Sequence, residues 1–175
     1  MKKILTSAIV ILGFVASTSA QATATSSATA IIVSPITITL TGSNLHFGSL
    51  AAGATGGAVI LATDGTRTSD GTITLSLNAT PVASAAQFTV AGSPLYTYAV
   101  TLPTALTLTH TNATSVMQLS AFTSSTSAIV AGAGTGTLDA NGSQALNVGA
   151  TLTVLAGQVA GTYSNASFPV TVNYN

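Results

Sequence analysis

Apolar residues in this chain recur at every second position, with Thr or Ser filling most of the places between. Ile36, Ile38 and Leu40 alternate with Thr37, Thr39 and Thr41, and Ile73, Leu75 and Leu77 with Thr72, Thr74 and Ser76. Tyr98, Val100 and Leu102 alternate with Thr97, Ala99 and Thr101; Met117, Leu119 and Ala121 alternate with Gln118 and Ser120; Leu152 and Val154 flank Thr153. Successive side chains of a strand point to opposite faces, so this period buries one face and leaves a hydroxyl face to water. No segment carries a 3.6-residue apolar period, which excludes amphipathic helices as the framework. Turn clusters separate the runs: Gly53 to Gly57, Asp64-Gly65, Ser69-Asp70-Gly71, Ala91 to Pro94, Gly132 to Gly136 and Asn141-Gly142. The last, between Leu138 and Leu146, predicts a tight hairpin because both residues tolerate positive φ. Short strands at short spacing predict an all-β fold, an immunoglobulin-like Greek-key β-sandwich. There is no internal repeat and no second domain.

The first twenty residues stand apart from the fold. Lys2 and Lys3 precede an apolar stretch from Ile4 to Val15, and Thr18-Ser19-Ala20 offers small residues for cleavage before Gln21. This is the pattern of a secretory signal peptide. The apolar run falls short of the ~20 residues that span a bilayer, so a transmembrane anchor is not expected. The expected divisions are 1–20 as signal, 21–33 as an N-terminal extension and 34–175 as the sandwich. The route is Sec export, with passage through the periplasm to the cell surface or beyond.

With the signal removed, Arg67 is the one cation, against Asp64, Asp70 and Asp139, for a net charge of −2. Such a surface cannot neutralise phosphates, which excludes nucleic acid and anionic membranes as partners. Low charge also removes the repulsion that keeps freely diffusing proteins apart. Cysteine is absent, so no disulfide framework, thiolate metal site or cysteine nucleophile exists.

The residues from Ser164 to Asn175 read as one strand, with Phe168, Val170, Val172 and Tyr174 on its apolar face. The expectation is that this strand has a free edge that something else must cover. Pro169 forfeits a ladder hydrogen bond and so favours an edge or a locally irregular pairing. Ahead of it, Gly161-Thr162-Tyr163 suits a corner in which a tyrosine bonds back to the preceding turn or packs in the core. At the other end, Ala22, Ala24, Ala28, Ala30 and Ile32 share one face of an extended segment whose other face is mostly hydroxyl. Composition allows an unstructured leader; the alternation allows a strand meant for another sheet.

Catalysis is not expected. His46 and His110 sit in strand-like surroundings, no Gly-x-Ser-x-Gly elbow occurs, and each Asp adjoins a turn. Asp64 and Asp70 flank Arg67, predicting a local ion pair rather than a pair of catalytic carboxylates. No catalytic, cofactor or metal site is assigned, and no cofactor is expected. A monomeric secreted module binding a glycan or surface ligand is the alternative function, with a secreted hydrolase a distant third.

Several segments together resemble known families. The extension leading into Ile36 to Leu40 and Leu45-His46-Phe47-Gly48, the closing Ala160-Gly161-Thr162-Tyr163, and Tyr174 one place from the terminus are similar to subunits of chaperone–usher pili and the spore-coat-protein-U group. Leu45 to Gly48, Asp64-Gly65-Thr66-Arg67-Thr68, Gly136-Thr137-Leu138 and Leu146-Asn147-Val148-Gly149 resemble the bacterial domain-of-unknown-function family 4402. The pilin resemblance implies a sandwich lacking its final strand, filled first by a periplasmic chaperone and then, at an outer-membrane usher, by the extension of a further copy or a related subunit. It implies an acceptor groove of Phe168, Val170, Val172 and Tyr174 facing Ile36, Ile38 and Leu40. The donor would be Ala22, Ala24, Ala28, Ala30 and Ile32, and Gly161 and Tyr163 the structural corner. One departure stands out: pilin donors present larger apolar residues, whereas this segment offers mainly alanine. The sandwich would otherwise be complete, and the tail without a partner.

Overall fold

A computed structural model of the protein describes residues 21–76, 80–126, 132–165 and 168–175. The segment 1–20, expected to be a signal peptide, and Leu77, Asn78 and Ser167 lie outside the described residues. The chain divides between Ile31 and Ile32 into two units. In the first, residues 21–31 hold no helix or strand, and their side chains are exposed.

The second unit contains all thirteen strands found among the described residues, numbered in chain order, and no helix. The larger sheet runs β1 (Thr37–Leu40), β6 (Ala86–Ala91), β11 (Ser143–Val154), β9 (Val116–Ser124), β8 (Ala105–His110) and β12 (Tyr163–Ser164). β3 (Gly57–Leu61) continues the line of β6 along β11, and β4 (Arg67–Ser69) pairs with β3. The smaller sheet is β10 (Ala133–Thr137), β7 (Thr97–Thr101) and β13 (Thr171–Tyr174), while β2 (Leu50–Ala51) and β5 (Thr74–Leu75) form a short pair. Every pairing is antiparallel. The chain changes sheet at β6–β7, β7–β8, β9–β10, β10–β11 and β12–β13, so the two sheets share one core, as a β-sandwich requires.

β11 is the axis of that core. Leu146, Val148, Ala150, Leu152 and Val154 alternate along it, and all are buried. They pack with Val59, Leu61, Val90 and Leu119 of the same sheet and with Tyr98, Val100 and Val172 of the other. Burying one leucine or valine side chain contributes about 1.5–3 kcal/mol, so Leu146, Val148, Leu152 and Val154 are a substantial part of what holds the sandwich together.

Tyr98 shows how the sequence of a neighbouring strand is constrained. Its side chain is fully buried, and its Oη donates to Gln144 Oε1 at 2.8 Å. Desolvation pushes its pKa up to about 12, so the phenol remains a neutral donor. The ring lies against Gly136, where a Cβ would come within 2.3 Å of Tyr98 Cζ. This close approach accounts for glycine on an interior position of β10, a residue that otherwise weakens a strand.

Three expectations need correction. The terminal run is not one strand: Tyr163–Ser164 belongs to β12 beside β8, residues 168–170 are irregular, and the ladder of β13 begins only at Thr171, past Pro169. The run from Thr72 to Leu77 contributes only Thr74–Leu75 to a ladder among the described residues. Asn141-Gly142 does form a tight turn, closed by Gly142 N–H to Asp139 C=O, but its arms diverge. β10 goes to β7 and β11 to β6, so the turn bridges the two sheets instead of joining a hairpin.

Gly136→Ala is expected to displace the Tyr98 ring and cost about 1–3 kcal/mol, the usual penalty for overpacking a filled core. A denaturant midpoint shift at constant slope, in urea titrations of both proteins, would measure it.

Candidate functional site

The three-stranded sheet has two edges, and the protein treats them differently. On β7, Leu138 N–H bonds Tyr96 C=O and Leu102 N–H bonds Gly132 C=O, so even-numbered residues of β7 face β10. Asn175 N–H bonds Thr97 C=O, so the odd-numbered residues face β13. Antiparallel pairing alternates, and the bonded partners on β13 are therefore Thr171, Asn173 and Asn175. The main-chain N–H and C=O groups of Val172 and Tyr174 point away from the sheet, and no strand meets them among the described residues. On the opposite edge, the outward Thr137 N–H of β10 donates to Gln144 Oε1 at 3.0 Å. A side chain from the other sheet thus occupies the outward N–H of Thr137 on the β10 edge, whereas the outward groups of Val172 and Tyr174 on β13 meet no strand among the described residues.

Beside that bare edge lies an apolar seam. β1 is the terminal strand of the larger sheet, and it comes within 8 Å of β13 between Cα atoms. Ile36 and Ile38 are half-buried against the core, as are Val170 and Tyr174, while Val172 is buried and Leu40 is 46% exposed. The structure therefore brings Ile36, Ile38, Val170, Val172 and Tyr174 of the expected groove to the core, and leaves Leu40 outside that packing. Phe168 is the exception in detail: it turns inward, with ring centroids 6.4 Å from Phe88 and 5.7 Å from Phe122. Ala22, Ala24, Ala28 and Ala30, the expected donor positions, are exposed and belong to no strand, and Ile32 is 97% exposed.

One end of the seam carries a hydrogen-bonded latch that sequence reasoning missed. Tyr174 Oη donates to Ser34 C=O at 2.8 Å and accepts from Ser93 N–H at 2.6 Å. Ser93 Oγ in turn accepts from Ser34 N–H at 2.8 Å. Ser93 is the buried polar residue among those described, and this pairing satisfies it. Gly92 allows the contact, since a Cβ there would lie 2.2 Å from Tyr174 Oη. The Tyr96 ring meets Tyr174 edge-on at 5.6 Å. Gly92-Ser93-Pro94 had signalled only a turn; nothing local marks it as the partner of residues 59 and 81 positions away.

The corner at Gly161 and Tyr163 is built differently, at the far edge of the larger sheet. Tyr163 Oη donates to Val159 C=O at 2.8 Å and accepts from Gln158 Nε2, which also reaches Val116 C=O. Gly161 adopts φ +145°, with His110 Nε2 where a Cβ would be. His110 Nδ1 accepts from Asn112 N–H, so the ring proton sits on Nε2 and is donated to Ala160 C=O. His110 is thus a strut of the corner.

His46 and Arg67 form a second structural cluster. The Arg67 guanidinium donates to the carbonyls of Phe47, Ser49 and Ser76, and the expected ion pair with Asp64 and Asp70 does not form. Those carboxylates are engaged elsewhere: Asp64 accepts from Thr66 within its own turn, and Asp70 accepts from Ala58 N–H of β3. His46 Nδ1 accepts from Gly48 N–H at 2.8 Å, which requires the neutral ring. Burial, and then the positive charge of Arg67, hold its pKa below the ordinary 6.5. Among the described residues no cluster of three or more acidic, His or Cys side chains could hold a metal. An open cleft of about 310 Å³ over the β9 bulge, lined by Ile60, Thr63, Ala121, Thr123 and Thr151, offers a ligand neither charge nor aromatic ring.

Because His46 is harder to protonate in the fold than in the open chain, the unfolded state binds more protons as pH falls below 6.5. Stability is therefore full above 6.5 and declines as the pH drops towards the lower folded value. Thermal midpoints between about pH 7.5 and about pH 5.5 are expected to fall, and His46→Asn, which keeps an acceptor near Nδ1 but does not titrate, is expected to flatten that slope.

Neither the curated proteins nor the solved structures contain a match to this chain. Residues 36–174, which span β1 through β13 and both walls of the seam, match one family over the greater part of the chain. The protein belongs to the family described as Domain of unknown function (DUF4402).

Proposed function

We propose that this protein is an exported structural subunit that assembles with copies of itself, or with related subunits, by exchange of an extended strand. The product is a bacterial surface fibre or coat. The observation that carries the reading is the bare edge of β13 beside a half-buried apolar seam. An added strand would meet the outward main-chain groups of Val172 and Tyr174 with hydrogen bonds and cover Ile36, Ile38 and Val170 with its inward side chains. The sparse charge of the chain favours close packing against copies. The extension at 21–33, outside any ladder and exposed up to Ile32, is the segment available to act as donor. A periplasmic chaperone would cover the same edge during export, and an outer-membrane usher would receive the subunit.

An open β13 edge makes the isolated subunit prone to pairing, so covering it during transit avoids uncontrolled association. The resemblance in the primary structure and the bare edge are independent supports for this reading: one comes from the order of short segments, the other from which main-chain groups lack partners.

Deleting residues 21–32 from the chain that begins at Gln21 is expected to leave a folded protein that does not self-associate. Sedimentation velocity would report a single slow species for the deletion and a ladder of larger species for the parent. Assembly of the deletion at the parent's rate, or a parent that stays monomeric at high concentration without a chaperone, would overturn the proposal.

A further inference from the structure

The donor segment is rich in alanine, and the geometry of the seam gives a reason. Facing sheets of a sandwich lie about 10 Å apart, and a strand added to β13 would sit about 4.8 Å further along its sheet. At the seam, β1 and β13 are already within 8 Å, so the gap between the sheets narrows at this edge. The latch ties the two strands at one end of this seam. Tyr174 Oη holds Ser34 C=O, Ser93 Oγ holds Ser34 N–H, and Ser93 N–H holds Tyr174 Oη, so β13, the entry to β1 and the β6–β7 turn meet at one point. These contacts join residues 59, 81 and 140 positions apart. Gly92 lets the phenol seat over the turn, and the Tyr96 ring backs it.

We propose that the Tyr174–Ser34–Ser93 latch is a specificity device: by pinching the seam it selects a donor strand with methyl-sized side chains at its inward positions. The occupant is the 22–30 stretch of a second copy's extension, in which Ala22, Ala24, Ala28 and Ala30 share one face, with the branched Ile32 of that face beyond it. Opposite inward-facing Val172 and Tyr174, an antiparallel donor places its own inward side chains in the narrowed gap, where alanine fits and a branched residue does not. A roomy groove would give the opposite preference, because a larger apolar side chain buries more area and binds more tightly. The sign of that preference separates the two cases. This inference rests on strand exchange being the mode of assembly, and its failure can be told apart from failure of that reading.

The test is assembly of the full chain from Gln21 onward, followed by sedimentation velocity, for Ala28→Leu and Ala24→Leu in three backgrounds. These are the natural latch, Tyr174→Phe, which removes only the hydroxyl and keeps the ring against Tyr96, and Ser93→Ala, which removes the acceptor for Ser34 N–H. In the natural background the leucine donors are expected to slow assembly by at least about tenfold, a barrier of ~1.4 kcal/mol. In the two latch variants that penalty is expected to shrink or reverse. Ser93→Ala keeps the test decisive should Tyr174→Phe fold poorly. Leucine donors that assemble as fast as alanine donors, or faster, with the latch intact would overturn the proposal, as would an equal penalty in all three backgrounds. If deletion of residues 21–32 leaves assembly unchanged, strand exchange itself is overturned, independently of the latch.

Discussion

The alternation of main-chain hydrogen bonds along β13 governs what this molecule can do. β7 satisfies Thr171, Asn173 and Asn175, and by the geometry of antiparallel pairing it cannot reach the groups of Val172 and Tyr174. Main-chain donors and acceptors need partners, from water or from another chain. Water can serve while the edge is exposed. It cannot also complete the burial of Ile36, Ile38 and Val170, which are only partly covered where they pack against the core. An edge that carries both demands is met best by a strand, which brings hydrogen bonds and alternating side chains together.

The rest of the sandwich holds that edge in place. β11 fixes β6 and β3 on one side and β9 on the other, so the larger sheet is rigid where β1 hangs from β6. β7 is held against the core by the buried Tyr98, whose hydroxyl ends on Gln144 of β11. The same Gln144 oxygen accepts from Thr137 N–H on the edge opposite β13. One side chain therefore both anchors the small sheet and occupies an outward amide of its β10 edge. The Tyr174 latch then sets how wide the seam beside that edge can be.

Period-two alternation made the strands around Ile38, Val100 and Leu119 legible, and their apolar faces do form the core, because burial alone decides which face points inward. The walls of the seam were legible for the same reason. Partners were not. Whether Asn141-Gly142 closes a hairpin or bridges two sheets depends on where β10 and β11 find neighbours, and the turn residues suit both. Arg67 stood between two aspartates in the chain, yet three carbonyls around Gly48 outcompete them, since a planar guanidinium can bond several carbonyls at once while exposed carboxylates remain solvated. The latch was illegible because its hydrogen bonds span 59 to 140 positions and its serines carry no local signal. Pro169 was read as a mark of an irregular edge; what the sequence did not reveal was that it confines the ladder to Thr171–Tyr174.

Amide hydrogen exchange, resolved by residue in the monomer and in assembled material, tests the central claim most directly. In the monomer, the amides of Thr171 and Asn173 should be protected by β7, while those of Val172 and Tyr174 exchange rapidly; on assembly the second pair should become protected too. Val172 and Tyr174 amides that are already protected in the monomer, or that still exchange freely in assembled material, would contradict the account.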